Sequence, residues 1–185
     1  MNARNLDLRD PWVVSVHRLL HGSGEQVALT ESLPAPEGLG SPVLGVPEEA
    51  PVDLRIRLES VSEGILASGT VSAELVGQCS RCLAYITDRV VSDIQELYFH
   101  PGRGAGDEED LLIVDDHIDL TRPVRDAIIV DLPFSPLCRE DCLGLCPSCG
   151  ADLNDDPDHD HGQAIDPRWA KLAEGIDLAG GDPDN

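Results

Sequence analysis

The sequence predicts an α+β protein: an antiparallel β-sheet, open or barrel-like, with one amphipathic helix and a C-terminal Cys/His-rich segment that ends in a short helix. Three observations predict it. Apolar and polar residues alternate between residues 54 and 99, the apolar period lengthens to about four over 118–133, and four of the six cysteines fall within residues 138–149.

The strands come first. Leu54, Ile56 and Leu58 alternate with Arg55, Arg57 and Glu59, and Ile65, Ala67, Val71, Ala73 and Leu75 alternate with mostly polar neighbours. Such alternation belongs to strands buried on one face. Ser62-Glu63-Gly64 supplies the turn between them, and AYITDRVVSDIQELYF at 84–99, rich in β-branched and aromatic residues, is a third strand. Cys79-Ser80-Arg81-Cys82 then falls at a hairpin tip. In IDLTRPVRDAIIVDLP at 118–133, Leu120, Val124, Ile128 and Leu132 fall four apart, Asp119 or Thr121 can cap, Pro123 is tolerable in the first turn and Pro133 ends the helix. Asp166-Pro167-Arg168-Trp169 begins a second, short helix with Trp169 and Leu172 on one face.

These elements divide the chain into an N-terminal strand region at 1–33, a Pro/Gly-rich loop at 34–51, a sheet-and-helix core at 52–133, a Cys/His segment with its short helix at 134–175, and a frayed tail at 176–185. The loop holds five of the fourteen prolines, and a second break, HPGRGAGDEED, occupies 100–110. No internal repeat is visible.

Composition bounds the function. The chain carries 13 Lys plus Arg against 35 Asp plus Glu, a net charge of −22, and after Gly106 there are 5 basic residues against 21 acidic ones. Such a chain repels phosphate backbones, and with aromatics at 3% few rings are present for bases to stack on. A basic protein is the partner this field attracts. The N-terminal stretch has charges at Arg4, Asp7, Arg9 and Asp10 and no apolar run of signal-peptide length, and nothing approaches a membrane span, so the expected compartment is the cytoplasm. Thiols stay reduced there, and clustered cysteines more often bind metal than form disulfides.

The cysteines are therefore read as metal ligands. Residues 136–150 read PLCREDCLGLCPSCG, with spacing C-x3-C-x3-C-x2-C, and His159 and His161 follow in DDPDHDHG. In Cys146-Pro147-Ser148-Cys149-Gly150, two thiolates fit a tight knuckle whose backbone amides point at the sulfurs, and the glycine permits the turn that follows. With Cys79, Cys82, Cys138, Cys142, His159 and His161 the total reaches six sulfurs and two imidazoles, the ligand count of two closed tetrahedral zinc sites. Two divisions are open. One sets Cys146, Cys149, His159 and His161 in a local site and Cys79, Cys82, Cys138 and Cys142 in a second; the other gathers the four cysteines of 138–149 and leaves Cys79 and Cys82 as a pair. A calcium loop is excluded because Pro157 stands where such a loop needs glycine. His17, His21, His100 and His117 are scattered and read as surface residues. No serine elbow, His-Glu-x-x-His or phosphate-cradling glycine loop is present, and each counted ligand closes its metal site, so no enzyme is expected.

The segments CSRCL at 79–83, IDLTRPVRDAIIVDLPFSPLC at 118–138, DCLGLCPSCGADLN at 141–154 and IDPRWAKL at 165–172 together resemble the YceD family, the large ribosomal RNA subunit accumulation proteins. The similarity covers roughly residues 50–175. It implies a bacterial cytoplasmic protein that supports accumulation of the large-subunit (23S) ribosomal RNA, with plastid homologues and no known catalysis, whose gene often lies beside one for a zinc-ribbon protein of the large subunit. By position the six cysteines match the family's cysteines, and His159 and His161 stand where many relatives carry a further Cys-x-Cys. Charge and resemblance together predict an acidic, zinc-stabilised ribosome-assembly factor that holds a basic large-subunit or assembly protein and meets ribosomal RNA indirectly. The competing expectation is a thiol-based redox sensor or zinc-dependent enzyme using Cys79 and Cys82.

Overall fold

The computed structural model describes residues 6–21, 26–103 and 111–161. The chain divides into two compact units, 1–140 and 141–185.

The first unit contains β1 (Val13–Ser15), α1 (His17–His21), β2 (Gln26–Pro34), β3 (Leu44–Gly45), β4 (Pro51–Ser60), β5 (Gly64–Gln78), β6 (Tyr85–Phe99), β7 (His117–Asp119) and α2 (Thr121–Asp131). Its main sheet is antiparallel and built around β5. One edge of β5 pairs with β4 over Ile65–Ala73 and, further along, with β3 at Val76 and Gly77. The other edge pairs with β6 over all fifteen residues, from Gly64↔Phe99 to Gln78↔Tyr85. β2 adds to the far side of β4 in register Gln26↔Glu59 through Pro34↔Pro51.

The barrel-like alternative is corrected. Among the described residues β2 pairs with β4 and β6 with β5, with no ladder joining β2 to β6, so the sheet stays open. The residue alternation that revealed the strands fixes which face is buried but not whether the outer edges meet.

Alternation dictates the core. Val52, Leu54, Ile56 and Leu58 of β4, Ile65, Ala67, Val71, Ala73 and Leu75 of β5, and Val90, Ile94 and Tyr98 of β6 are buried. Gly69 falls in the same inward row of β5, opposite Ile56. Its φ is 155°, and a Cβ there would lie 2.1 Å from the Arg55 carbonyl oxygen, so the two backbones approach more closely than a side chain permits. The turn expected at 62–64 forms, with Val61 N–H to Gly64 O at 2.9 Å and Gly64 N–H to Val61 O at 3.2 Å.

The helix expected over 118–133 is shorter than its apolar pattern. Ile118 and Asp119 belong to β7, which pairs with β1, and α2 starts at Thr121. The Asp119 carboxylate accepts the Thr121 N–H at 2.8 Å, one position ahead of the boundary residue Leu120, which makes no side-chain cap. Leu132 is extended, as a residue before proline prefers, and the helix stops there. Leu120, Val124, Ile128 and Leu132 are all buried, and α2 packs against β6. Tyr98 of β6 donates its hydroxyl to the Asp119 carbonyl at 2.8 Å, tying the sheet to the start of that helix. The 34–51 stretch, expected as a loop, carries β3 and a Gly40↔Gly45 bridge as well.

The second unit has a bridge between Leu145 and Asp152 around the 146–151 turn. The short helix expected from Asp166 and the tail at 176–185 lie outside the described residues. No helix among the described residues is long and apolar enough to cross a membrane.

We expect Gly69→Ala to destabilise the first unit by about 1–3 kcal/mol, the cost of forcing a side chain into strained backbone. Denaturant unfolding measures it, and an unchanged midpoint would remove the close-approach argument.

Candidate metal centre

The β5–β6 pairing ends at Gln78↔Tyr85 and leaves Cys79 to Ala84 as its tip. Cys79 N–H donates to Ala84 O at 2.8 Å and Leu83 N–H to Cys79 O at 3.0 Å, a tight turn that places Leu83 at φ 61°. Downstream of α2 the chain returns to this tip, where Ser80 N–H donates to the Pro136 carbonyl at 2.8 Å. Cys138 follows two residues later, with its Sγ 3.6 Å from that of Cys82. The sulfurs of Cys79, Cys82 and Cys138 all lie within 4.8 Å of one another.

Cys79 is fully buried. Burial pushes its thiol up, but the backbone N–H groups of Cys82, Cys138 and Arg81, with the Cys82 thiol, more than offset this and bring it from 9.0 down to about 6. Amides aimed at a sulfur stabilise the thiolate, which is the form that binds metal.

The second unit repeats the arrangement locally. Cys146 N–H donates to Ala151 O and Gly150 N–H to Cys146 O, both at 2.8 Å, and Gly150 takes φ 75° to close the turn. The expected knuckle is therefore present in its backbone. The N–H groups of Ser148 and Cys149 lower the Cys146 thiol to about 7, against burial, with the side chains of Cys149 and His161 acting in the same direction. Cys149 Sγ lies 3.2 Å from His159 Nε2, which lies 2.9 Å from His161 Nε2. All four ligand atoms converge within 4.8 Å. Cys142, four positions past Cys138, lies in this unit, where it is buried and accepts Asn154 Nδ2 at 3.6 Å. Asn154 also accepts the Leu143 N–H and bonds Asp152 Oδ1, so it organises the loop that carries Cys142. Nothing in the sequence pattern marked Asn154, whose role depends on the Leu145–Asp152 bridge.

The separations suit a tetrahedral ion. Bonds of about 2.3 Å to sulfur and about 2.0 Å to nitrogen place ligand atoms about 3.8 Å apart for two sulfurs, about 3.5 Å for sulfur and nitrogen, and about 3.3 Å for two nitrogens. The distances of 3.6, 3.2 and 2.9 Å approach these. No disulfide joins any of the six cysteines, and the 3.6 Å between the sulfurs of Cys82 and Cys138 is well beyond the ~2.05 Å of such a bond. The clusters are able to bind metal. Of the two divisions the sequence leaves open, the one that joins Cys146 and Cys149 to His159 and His161 matches the convergence within the second unit.

A family model described as the large ribosomal RNA subunit accumulation protein YceD matches residues 67–174. The chain belongs to the YceD family. An uncharacterized protein of Mycobacterium tuberculosis is 44% identical to this YceD-family chain over 168 residues, covering 89% of this chain and 81% of its own. The uncharacterized protein YlbN of Bacillus subtilis is 29% identical over 125 residues, covering 66% of this chain and 73% of its own. A maize protein, named chloroplastic large ribosomal RNA subunit accumulation protein YCED homolog 1, is 40% identical over 40 residues, covering 22% of this chain and 14% of its own. No solved structure matches this YceD-family chain.

One cluster escaped the sequence reading. His17 and His21, expected to be isolated surface residues, lie with Asp116, their ligand atoms within 4.8 Å. The His-x3-His spacing was the available signal, hidden because α1 is five residues long and shows no apolar period.

A shallow groove between β6 and α2 is lined by Asp93, Glu96, Asp126 and Asp131 around the exposed Val91 and Val130, with Arg89 at one side. Arg89 is engaged by Asp53 at 3.6 Å and Glu74 at 3.4 Å, and Asp126 is paired with Arg122 at 3.5 Å, so Asp93, Glu96 and Asp131 give the groove its acidity.

With both pKa values lowered from 9.0, the metal-free fold loses stability as pH falls through about 7 and then about 6, and regains it as pH rises toward 9.0. We expect the thiolate absorbance of the metal-free protein to rise in that window, with the lower step missing in Cys79→Ser and the upper in Cys146→Ser. A single rise near 9 would contradict the backbone stabilisation.

Proposed function

We propose that this YceD-family protein is a non-enzymatic, cytoplasmic ribosome-biogenesis factor that holds a Lys/Arg-rich ribosomal or assembly protein of the large subunit, with zinc fixing the shape of its acidic surface. Family membership supplies the process, large ribosomal RNA subunit accumulation. The acidic groove between β6 and α2 carries the rest: an apolar floor flanked by carboxylates fits a basic segment with apolar side chains, and it repels a phosphate backbone.

In this reading zinc occupies two closed structural sites. Cys146, Cys149, His159 and His161 hold one. Cys79, Cys82 and Cys138 hold the other with Cys142, which only three intervening residues tether to Cys138. Closed four-ligand sites leave no position for a reacting water, so zinc here supplies folding energy rather than chemistry. The redox-sensor reading is less well supported, because a sensor thiol must meet its oxidant and Cys79 is fully buried.

Elemental analysis of protein purified without added metal should give two zinc ions per chain. Cys146→Ser should lose one and expose residues 141–161 to protease while the sheet stays formed. No zinc, with the thiols oxidised to disulfides, would remove the metal claim. For the partner, a pull-down at two salt concentrations with mass spectrometry should retain basic large-subunit proteins at low salt and release them at high salt. The combined change Asp93→Asn, Glu96→Gln and Asp131→Asn should weaken capture by about tenfold, while neutralising Asp155, Asp156, Asp158 and Asp160 to Asn tests the second unit's share. Tight, sequence-selective binding of ribosomal RNA by the isolated protein, with no ribosomal or assembly protein retained, would overturn the holder model.

A further inference from the structure

We propose that His17, His21 and Asp116 form a separate, thiol-free site for a borderline first-row divalent cation such as zinc, cobalt or nickel. The His17 Nδ1 lies 2.7 Å, and the His21 Nε2 3.5 Å, from the same Asp116 Oδ2. Bonds of about 2.0–2.2 Å from one ion place its ligands about 2.8–3.5 Å apart, so both imidazole nitrogens already stand near coordinating separation from the shared carboxylate oxygen, and the three ligand atoms lie within 4.8 Å of one another. Two imidazoles with one carboxylate suit zinc, nickel, cobalt or iron, whereas magnesium and calcium take all-oxygen sets.

The backbone builds this grouping from three elements. His17 and His21 are one α-turn apart and share a face of α1, with ring centroids 4.5 Å apart. β1, immediately before that helix, pairs with β7 in register Ser15↔His117, which brings position 116 beside the start of α1. Val16 N–H then donates to the Asp116 carbonyl at 2.8 Å and fixes it there. The Asp115-Asp116 turn is closed by mutual backbone bonds between Val114 and His117 and holds both aspartates in the left-handed region, at φ 48° and 61°. Two consecutive residues there form a two-residue hairpin turn, a conformation that aspartate tolerates, and the turn presents the Asp116 carboxylate to the two imidazoles.

One carboxylate oxygen shared by two imidazoles from the same helix face is also the arrangement that a single cation placed among them would hold. The side chains of His17, His21 and Asp116 keep 64%, 63% and 40% of their exposure, so water completes the coordination and the ion exchanges with solvent. This site is independent of the cysteine clusters and of the partner reading above.

The test uses the full chain with its cysteine sites already zinc-loaded, and cobalt as the probe. Equilibrium dialysis with visible spectroscopy should find one further cobalt per chain with weak d–d absorption and no thiolate charge-transfer band, accompanied by paramagnetic broadening of the His17 and His21 imidazole signals. His21→Gln, at an exposed position, should keep its circular dichroism and weaken this cobalt by at least about tenfold, and Asp116→Asn should do the same. Asp155→Asn with Asp156→Asn should leave it unchanged. Cobalt that enters only with thiolate charge transfer, or uptake that His21→Gln leaves intact, would overturn the proposal.

Discussion

The fifteen-residue ladder between β5 and β6 is the constraint on which the first unit depends. A side-chain period of two means that a slip of one residue would turn Val71, Ala73 and Leu75 outward and their polar neighbours inward. With the register held by that penalty, both faces of the sheet and both edges of β5 are defined at once. β4 and β3 take one edge, α2 packs on β6, and the last paired residues, Gln78 and Tyr85, hold the tip that carries Cys79 and Cys82. The position of two buried thiols is thus set by apolar residues along the same hairpin.

Electrostatics then acts on a prepared geometry. Backbone amides draw negative charge onto Cys79 and Cys146 in a chain already at −22. Additional buried anions are unfavourable in such a field unless a cation stands among them. The cysteine clusters and the acidic groove therefore express the same imbalance at two ranges: close-set thiols in one, and carboxylates spread along a groove in the other.

Sequence reading recovered what has a period. The strands at 54–60 and 64–78 and the third strand were legible because each buries one face, and α2 because Leu120, Val124, Ile128 and Leu132 line one side. The knuckle was legible because C-x2-C followed by glycine is a local backbone form. What escaped lacks either length or locality. α1 and β7 have five and three residues, too few for a pattern, and β7 forms through pairing with a strand some hundred positions earlier. His17 and Asp116 are separated by 99 residues, so only the folded register brings them together. Barrel closure likewise depends on edges, about which alternation is silent.

The separation of Cys82 from Cys138 by 56 residues has a temporal meaning. As the chain leaves the ribosome, the hairpin can zip and present its first two thiols well before α2 and Cys138 emerge. Closing so long a loop opposes only a slowly growing entropy once the hairpin and helix are docked, but before that the third sulfur is not at hand. Convergence of the three sulfurs is thus a late event, one that marks a nascent chain whose sheet and helix have already met.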